Sequence, residues 1–174
     1  LDVAARVSGA FLRAQVLAGA SAVQLFDSGV GTLSVADYER HVAPHSARAI
    51  AEVKDLGIPV VHFGVGTGEL LNAMHAVGAD VMGVDDRITL SEANRRLGGT
   101  VPLQGNLNPA LLAAPWPVLE AGVREVLASG AEAPAHVLNL GHGVPPDTDP
   151  GVLTRIVDLV HGELAHAELV RGGR

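Results

Sequence analysis

The sequence predicts an α/β protein built on a parallel sheet, and three observations carry that expectation. Five short apolar runs recur along the chain, at 22–26, 59–63, 81–84, 101–104 and 135–140. Each is nearly continuous rather than alternating, as expected for strands covered on both faces by helices. Longer stretches of helical periodicity separate the runs, and repeated strand–helix–strand units imply parallel pairing through right-handed crossovers.

A helix over 3–18 precedes the first strand. Ser34 with Asp37 three residues on resembles a capping box. Pro44 starts a longer helix reaching to about residue 56, since an interior proline would break one. Thr67 is placed to cap the helix that carries Leu70, Leu71, Met74 and Val77. The segment Gly105-Asn106-Leu107-Asn108-Pro109 reads as a turn that starts a helix, with Asn108 as its cap. Asp149-Pro150 opens a final helix with Leu153, Ile156, Val157, Val160 and Leu164 on one face. No linker, repeat or low-complexity tract divides residues 1–174, so a single domain is expected. Two architectures fit this pattern, an open doubly wound sheet or part of a (β/α)8 barrel. A complete barrel needs about 250 residues.

Bulk composition narrows the function. A net charge of −7 without a basic stripe argues against nucleic acid or an anionic membrane as partner. The chain has no cysteine, which excludes disulfides, thiolate metal sites and a cysteine nucleophile. Apolar runs are short and broken by charge or glycine, so no bilayer-spanning segment is expected. The first residues read as the interior of a helix, without an initiator Met or a signal peptide. A cytoplasmic protein lacking its N-terminal part is therefore expected.

In either architecture, function belongs to the loops after the strand C-termini. Three loops carry candidates. After the first strand, Phe26-Asp27-Ser28-Gly29-Val30-Gly31 lets backbone approach a ligand closely, and Ser28 can donate to a carboxylate. A plain βα turn is the alternative. After the second strand, His62-Phe63-Gly64-Val65-Gly66-Thr67-Gly68 followed by a helix can present N–H groups to an anion. With Asp85 beyond the next strand, it imitates an S-adenosylmethionine-dependent methyltransferase. After the last strand, His142 lies between Gly141 and Gly143 in a loop stiffened by Pro145 and Pro146, open to a pocket or to water. His41 and His45 are four apart, but Pro44 between them and the lack of a carboxylate partner speak against a metal site. His161 and His166 fall on the solvated side of the last helix.

Taken together and in order, these segments resemble the uroporphyrinogen decarboxylase family. The resemblance rests on Gln24-Leu25-Phe26-Asp27-Ser28, Val81-Met82-Gly83-Val84-Asp85, Leu103-Gln104-Gly105-Asn106-Leu107-Asn108-Pro109, and Asn139-Leu140-Gly141-His142-Gly143 with Pro146-Asp147. It implies the C-terminal part of a (β/α)8 TIM barrel, with five parallel strands alternating with helices. It also implies a homodimer and a tetrapyrrole substrate, uroporphyrinogen, whose four acetates are decarboxylated without a cofactor. Ser28 and His142 match family residues that meet substrate carboxylates, and Phe26 matches a cleft phenylalanine. The family's key aspartate, its carboxylate-binding arginines and a tyrosine lie upstream, so this half alone is expected to be inactive. Gly29, Asp86 and Asn108 depart from the residues usual at those places. Corrinoid-linked methyltransferases of the same superfamily hold zinc with cysteine, which this chain lacks. A non-catalytic half-barrel remains the alternative of a different class.

Overall fold

The computed structural model describes residues 1–172 of the chain, and the side chains of 164–172 fall outside that description. Its elements are α1 (Asp2–Leu17), β1 (Val23–Phe26), α2 (Val35–His41), α3 (Ala43–Ala51), β2 (Val60–Phe63), α4 (Leu71–Ala76), β3 (Val81–Gly83), α5 (Leu90–Arg96), β4 (Leu103–Leu107), α6 (Trp116–Gly130), β5 (His136–Leu140) and α7 (Pro150–Gly172). The five strands form one parallel sheet in the order β1-β2-β3-β4-β5. Neighbours in sequence are neighbours in space, without the order reversal that defines a doubly wound sheet.

The sheet is also curled. The Gln104 side-chain amide donates to the Gln24 carbonyl at 2.8 Å, although the two residues lie on β4 and β1. Strands three apart in a flat sheet are separated by about 14 Å. The bond closes because the sheet bends toward the face both glutamines share. Sequential order and this curvature are those of part of a (β/α)8 barrel.

The two faces differ. Val23, Val60, Met82 and Leu103 point into one buried cluster with Leu12, Ile50, Leu71 and Met74 from the helices and Val53 from the turn after α3. Leu107 joins a second cluster with Leu119, Val123 and Ile156. Each fully buried aliphatic side chain contributes roughly 1.5–3 kcal/mol. The opposite face carries Gln24, Phe26, Phe63, Gln104, Val137 and Asn139, and there Phe26 is 61% and Val137 56% exposed. Helix cover on both faces, expected from the apolar runs, holds for one face among the described residues. A barrel strand buries its other face in the barrel interior, and an apolar run reads the same in either case.

Several boundaries differ from the sequence reading. The fourth strand spans 103–107, so Gly105, Asn106 and Leu107 lie in β4 rather than in a turn. Pairing decides this: Leu107 is in register with Leu140, and the Asn106 amide donates to the carbonyls of Asp85 and Ile88. Gly105 is required there, because at φ +139° a Cβ would lie 2.5 Å from the Val84 carbonyl. Asn108 does act as a cap, its side chain accepting from the Ala110 N–H at 2.9 Å, but the element it caps is a short 3-10 helix, Pro109–Ala113. Ser34 caps α2 through the Asp37 N–H at 3.1 Å. The helix begun near Pro44 ends at Ala51 and passes into a 3-10 turn, Lys54–Leu56, closed by Gly57 at φ +66°. Thr67 caps nothing: it is buried and donates back to the Gly64 carbonyl at 2.9 Å. On α7, Ile156 is buried and Leu153 and Val160 pack beside it, whereas Val157 is half exposed. Leu164 and His166 lie outside the described side chains.

Candidate active site

All five strands end at the same edge of the sheet, so parallel pairing brings the loops after them together. A cavity of about 280 Å³ opens at this edge on the uncovered face, lined by residues of β1, β2, β4 and β5 and of the loops after β3 and β5. Phe26 and Phe63 form its aromatic side, with ring centroids 5.9 Å apart at 77°, a favoured edge-to-face arrangement. Val84, Leu140 and Val144 add apolar wall, and Gln24, Gln104, Asn139 and His142 supply polar groups.

His142 is exposed, and its Nδ1 accepts from the Gly143 N–H at 2.7 Å. A neutral ring so bonded carries its hydrogen on Nε2, which is then free to donate. The flanking glycines have different reasons. A Cβ on Gly141 would sit 2.4 Å from the Asp86 backbone nitrogen, so the loops after β3 and β5 touch there, while Gly143 has open space.

The structure therefore brings Phe26 and His142 to one cavity. Ser28, two residues past Phe26, is exposed on the same loop but is not part of the lining. Gln24, Phe63, Gln104 and Asn139 were missed from sequence. Their signal was available: Gln24, Gln104 and Asn139 are polar residues inside otherwise apolar strand runs, which makes them candidates for a face that meets a cavity.

The glycine-rich loop after β2 is engaged internally. Asp85 is buried, and its Oδ2 accepts from the Gly66 N–H at 2.6 Å. Gly31 lies against the same loop, where a Cβ would fall 2.2 Å from the Val65 carbonyl. Two features of the nucleotide-like pattern thus bind each other, and the methyltransferase alternative is not favoured. These glycines serve loop–loop contact.

Behind the cavity, Asp27 turns the other way. Its Oδ2 is hydrogen-bonded to His62 Nε2 at 2.8 Å and accepts from Ser46 Oγ at 2.8 Å and from the Tyr38 hydroxyl at 3.4 Å. Burial opposes ionisation of this carboxyl, but the bonds from His62, Ser46 and Tyr38 outweigh it and hold it below its usual range. Burial, then the Asp27 charge, pushes the Tyr38 phenol well up, so it remains a donor.

A curled parallel sheet with a cleft at its C-terminal edge defines a barrel-type α/β protein with its candidate site among the loops after the strands. The family model described as Uroporphyrinogen decarboxylase (URO-D) matches residues 1–163, and the chain belongs to that family. Relatives named uroporphyrinogen decarboxylase include that of Arthrobacter sp. strain FB24, 69% identical over 158 residues, which are 91% of this chain and 46% of the relative. That of Leifsonia xyli subsp. xyli is 61% identical, with 93% and 47% covered, and that of Salinispora tropica 61%, with 90% and 42%. The chain spans about half the length of these relatives.

Proposed function

We propose that the full-length protein containing this chain decarboxylates the four acetate groups of uroporphyrinogen III, giving coproporphyrinogen III without a cofactor. The observation that carries this reading is the mixed cavity at the strand C-termini, with aromatic and polar walls, in a chain of this family. The family's route uses the substrate's own pyrrole as electron sink, so the protein must bind, orient and stabilise charge. Phe26 and Phe63 offer apolar surface to a pyrrole. His142 offers Nε2–H to a substrate carboxylate, and Ser28 offers its hydroxyl from the cleft rim. The cavity is near the lower limit of about 300–1,000 Å³ for small-molecule sites. It accordingly takes one part of the macrocycle, and the isolated chain 1–174 does not turn over. A homodimer in the cytoplasm follows from the same family reading; among the described residues, no helix is long and apolar enough to cross a membrane.

The test is anaerobic decarboxylation of uroporphyrinogen by the full-length protein, with His142→Ala and Ser28→Ala. Coproporphyrin is expected after oxidation, with kcat/KM lowered about tenfold or more in each variant, the loss of one charge-assisted hydrogen bond. A folded full-length protein that releases no carbon dioxide would overturn the assignment.

A further inference from the structure

His62 is fully buried on the helix-covered face, away from the cleft. Its Nδ1 lies 3.0 Å from the Met74 carbonyl oxygen and its Nε2 2.8 Å from Asp27 Oδ2. A carbonyl oxygen only accepts, so Nδ1 carries a hydrogen. The ring is held between the Met74 carbonyl and the Asp27 carboxyl, one contact at each ring nitrogen. Ser46 from α3 and Tyr38 from α2 reach the same Asp27 oxygen, and the Asp27 N–H donates to the Phe63 carbonyl at 2.8 Å. Residues from two helices and β2 therefore converge on Asp27, which stands directly between Phe26 and Ser28.

Successive side chains leave an extended backbone on opposite sides. Anchoring Asp27 toward the helices therefore turns Phe26 toward the cavity and fixes where the Ser28 loop departs.

We propose that Asp27 and His62 form a hydrogen-bonded clamp that positions the Phe26–Ser28 arm of the cleft, with His62 as a positioning residue. The kinetic consequence rests on the decarboxylase reading; the structural consequence does not.

The experiment compares His62→Phe and His62→Gln in the full-length protein. Phenylalanine fills the space and removes the donor, whereas glutamine can donate from near the Nε2 position. In His62→Phe, KM for uroporphyrinogen is expected to rise about tenfold with kcat within about twofold, and amide exchange over residues 26–30 to quicken about tenfold. His62→Gln is expected to keep both within about threefold of the parent. If His62→Phe does not fold, Ser46→Ala, which removes another donor to the same oxygen, should raise KM and quicken exchange about threefold.

Equal changes in the phenylalanine and glutamine variants would overturn the clamp. A parent that fails to decarboxylate would remove the functional reading alone. The clamp then stands or falls on the exchange measurements.

Discussion

Replacing Gly141 by alanine would place a methyl carbon 2.4 Å from the Asp86 backbone nitrogen, 2.7 Å from its Cβ and 3.0 Å from its Cα. An ordinary contact needs about 3.5 Å, so the shortfall is about 1 Å. Two of these neighbours are backbone, which cannot rotate away. The loop after β5 must therefore move relative to the loop after β3, at a cost of about 1–3 kcal/mol. In a chain of this size that lowers Tm by about 2–10 °C. His142 is the next residue, and misplacing a site group by about 1 Å costs up to about 100-fold in rate. Gly143→Ala is the matched control. Nothing lies within 4 Å of a Cβ there, and its φ is not in the left-handed region, so its stability should stay within about 0.5 kcal/mol of the parent. Thermal denaturation and decarboxylation assays on full-length variants would measure both. If Gly143→Ala is as damaging as Gly141→Ala, or if Gly141→Ala is neutral, the steric account of this loop is wrong.

Two further outcomes follow from the packing and from Asp27. Because the folded protein holds the Asp27 carboxyl below its ordinary value of 3.8, its stabilising contribution is present above that pH and is lost as pH falls through the depressed folded value. The stability gap between the parent and Asp27→Asn, measured by urea unfolding, should therefore be largest near neutral pH and shrink below about pH 4; a constant gap would contradict the ionised assignment. Leu103→Ala, at a fully buried position in β4, should cost about 2–5 kcal/mol, whereas Val157→Ala on the half-exposed side of α7 should stay within about 0.5 kcal/mol. Comparable losses in the two would reject the placement of Val157 on a solvated side of α7.

Much of the fold was legible because its signals are local. Strand type at 59–63, the Ser34 cap and the helix start at Pro150 each depend on residues a few positions apart, whose backbone preferences act without the rest of the chain. The errors fall where a distant partner, or in one case a near competitor for the same side chain, overrode a local preference. Gly105 and Asn106 have turn chemistry, yet the ladder to β5 and the Asn106 bonds to the loop after β3 keep them in a strand. Thr67 has the chemistry of a cap, but the Gly64 carbonyl captures its hydroxyl. The glycine-rich loop read as a ligand cradle because its use by Asp85, 19 residues on from Gly66, has no local signature.

The candidate site divides in the same way. The loops that bear Phe26, Ser28 and His142 could be named from sequence, because a strand followed by small and polar residues marks a βα loop. Curvature, which side of the sheet stays open, and the bond from Gln104 to Gln24 could not, since they depend on how five strands twist against one another. The sequence by itself determined the α/β class, the number and order of the strands, and the family. Only the tertiary structure decided that Phe26 and His142 share a cavity while Ser28 stands outside its lining, and that Asp27 faces away to meet His62. Side-chain alternation along a strand is a local property, but which of its two sides meets helices and which meets a cleft is set by everything packed around it.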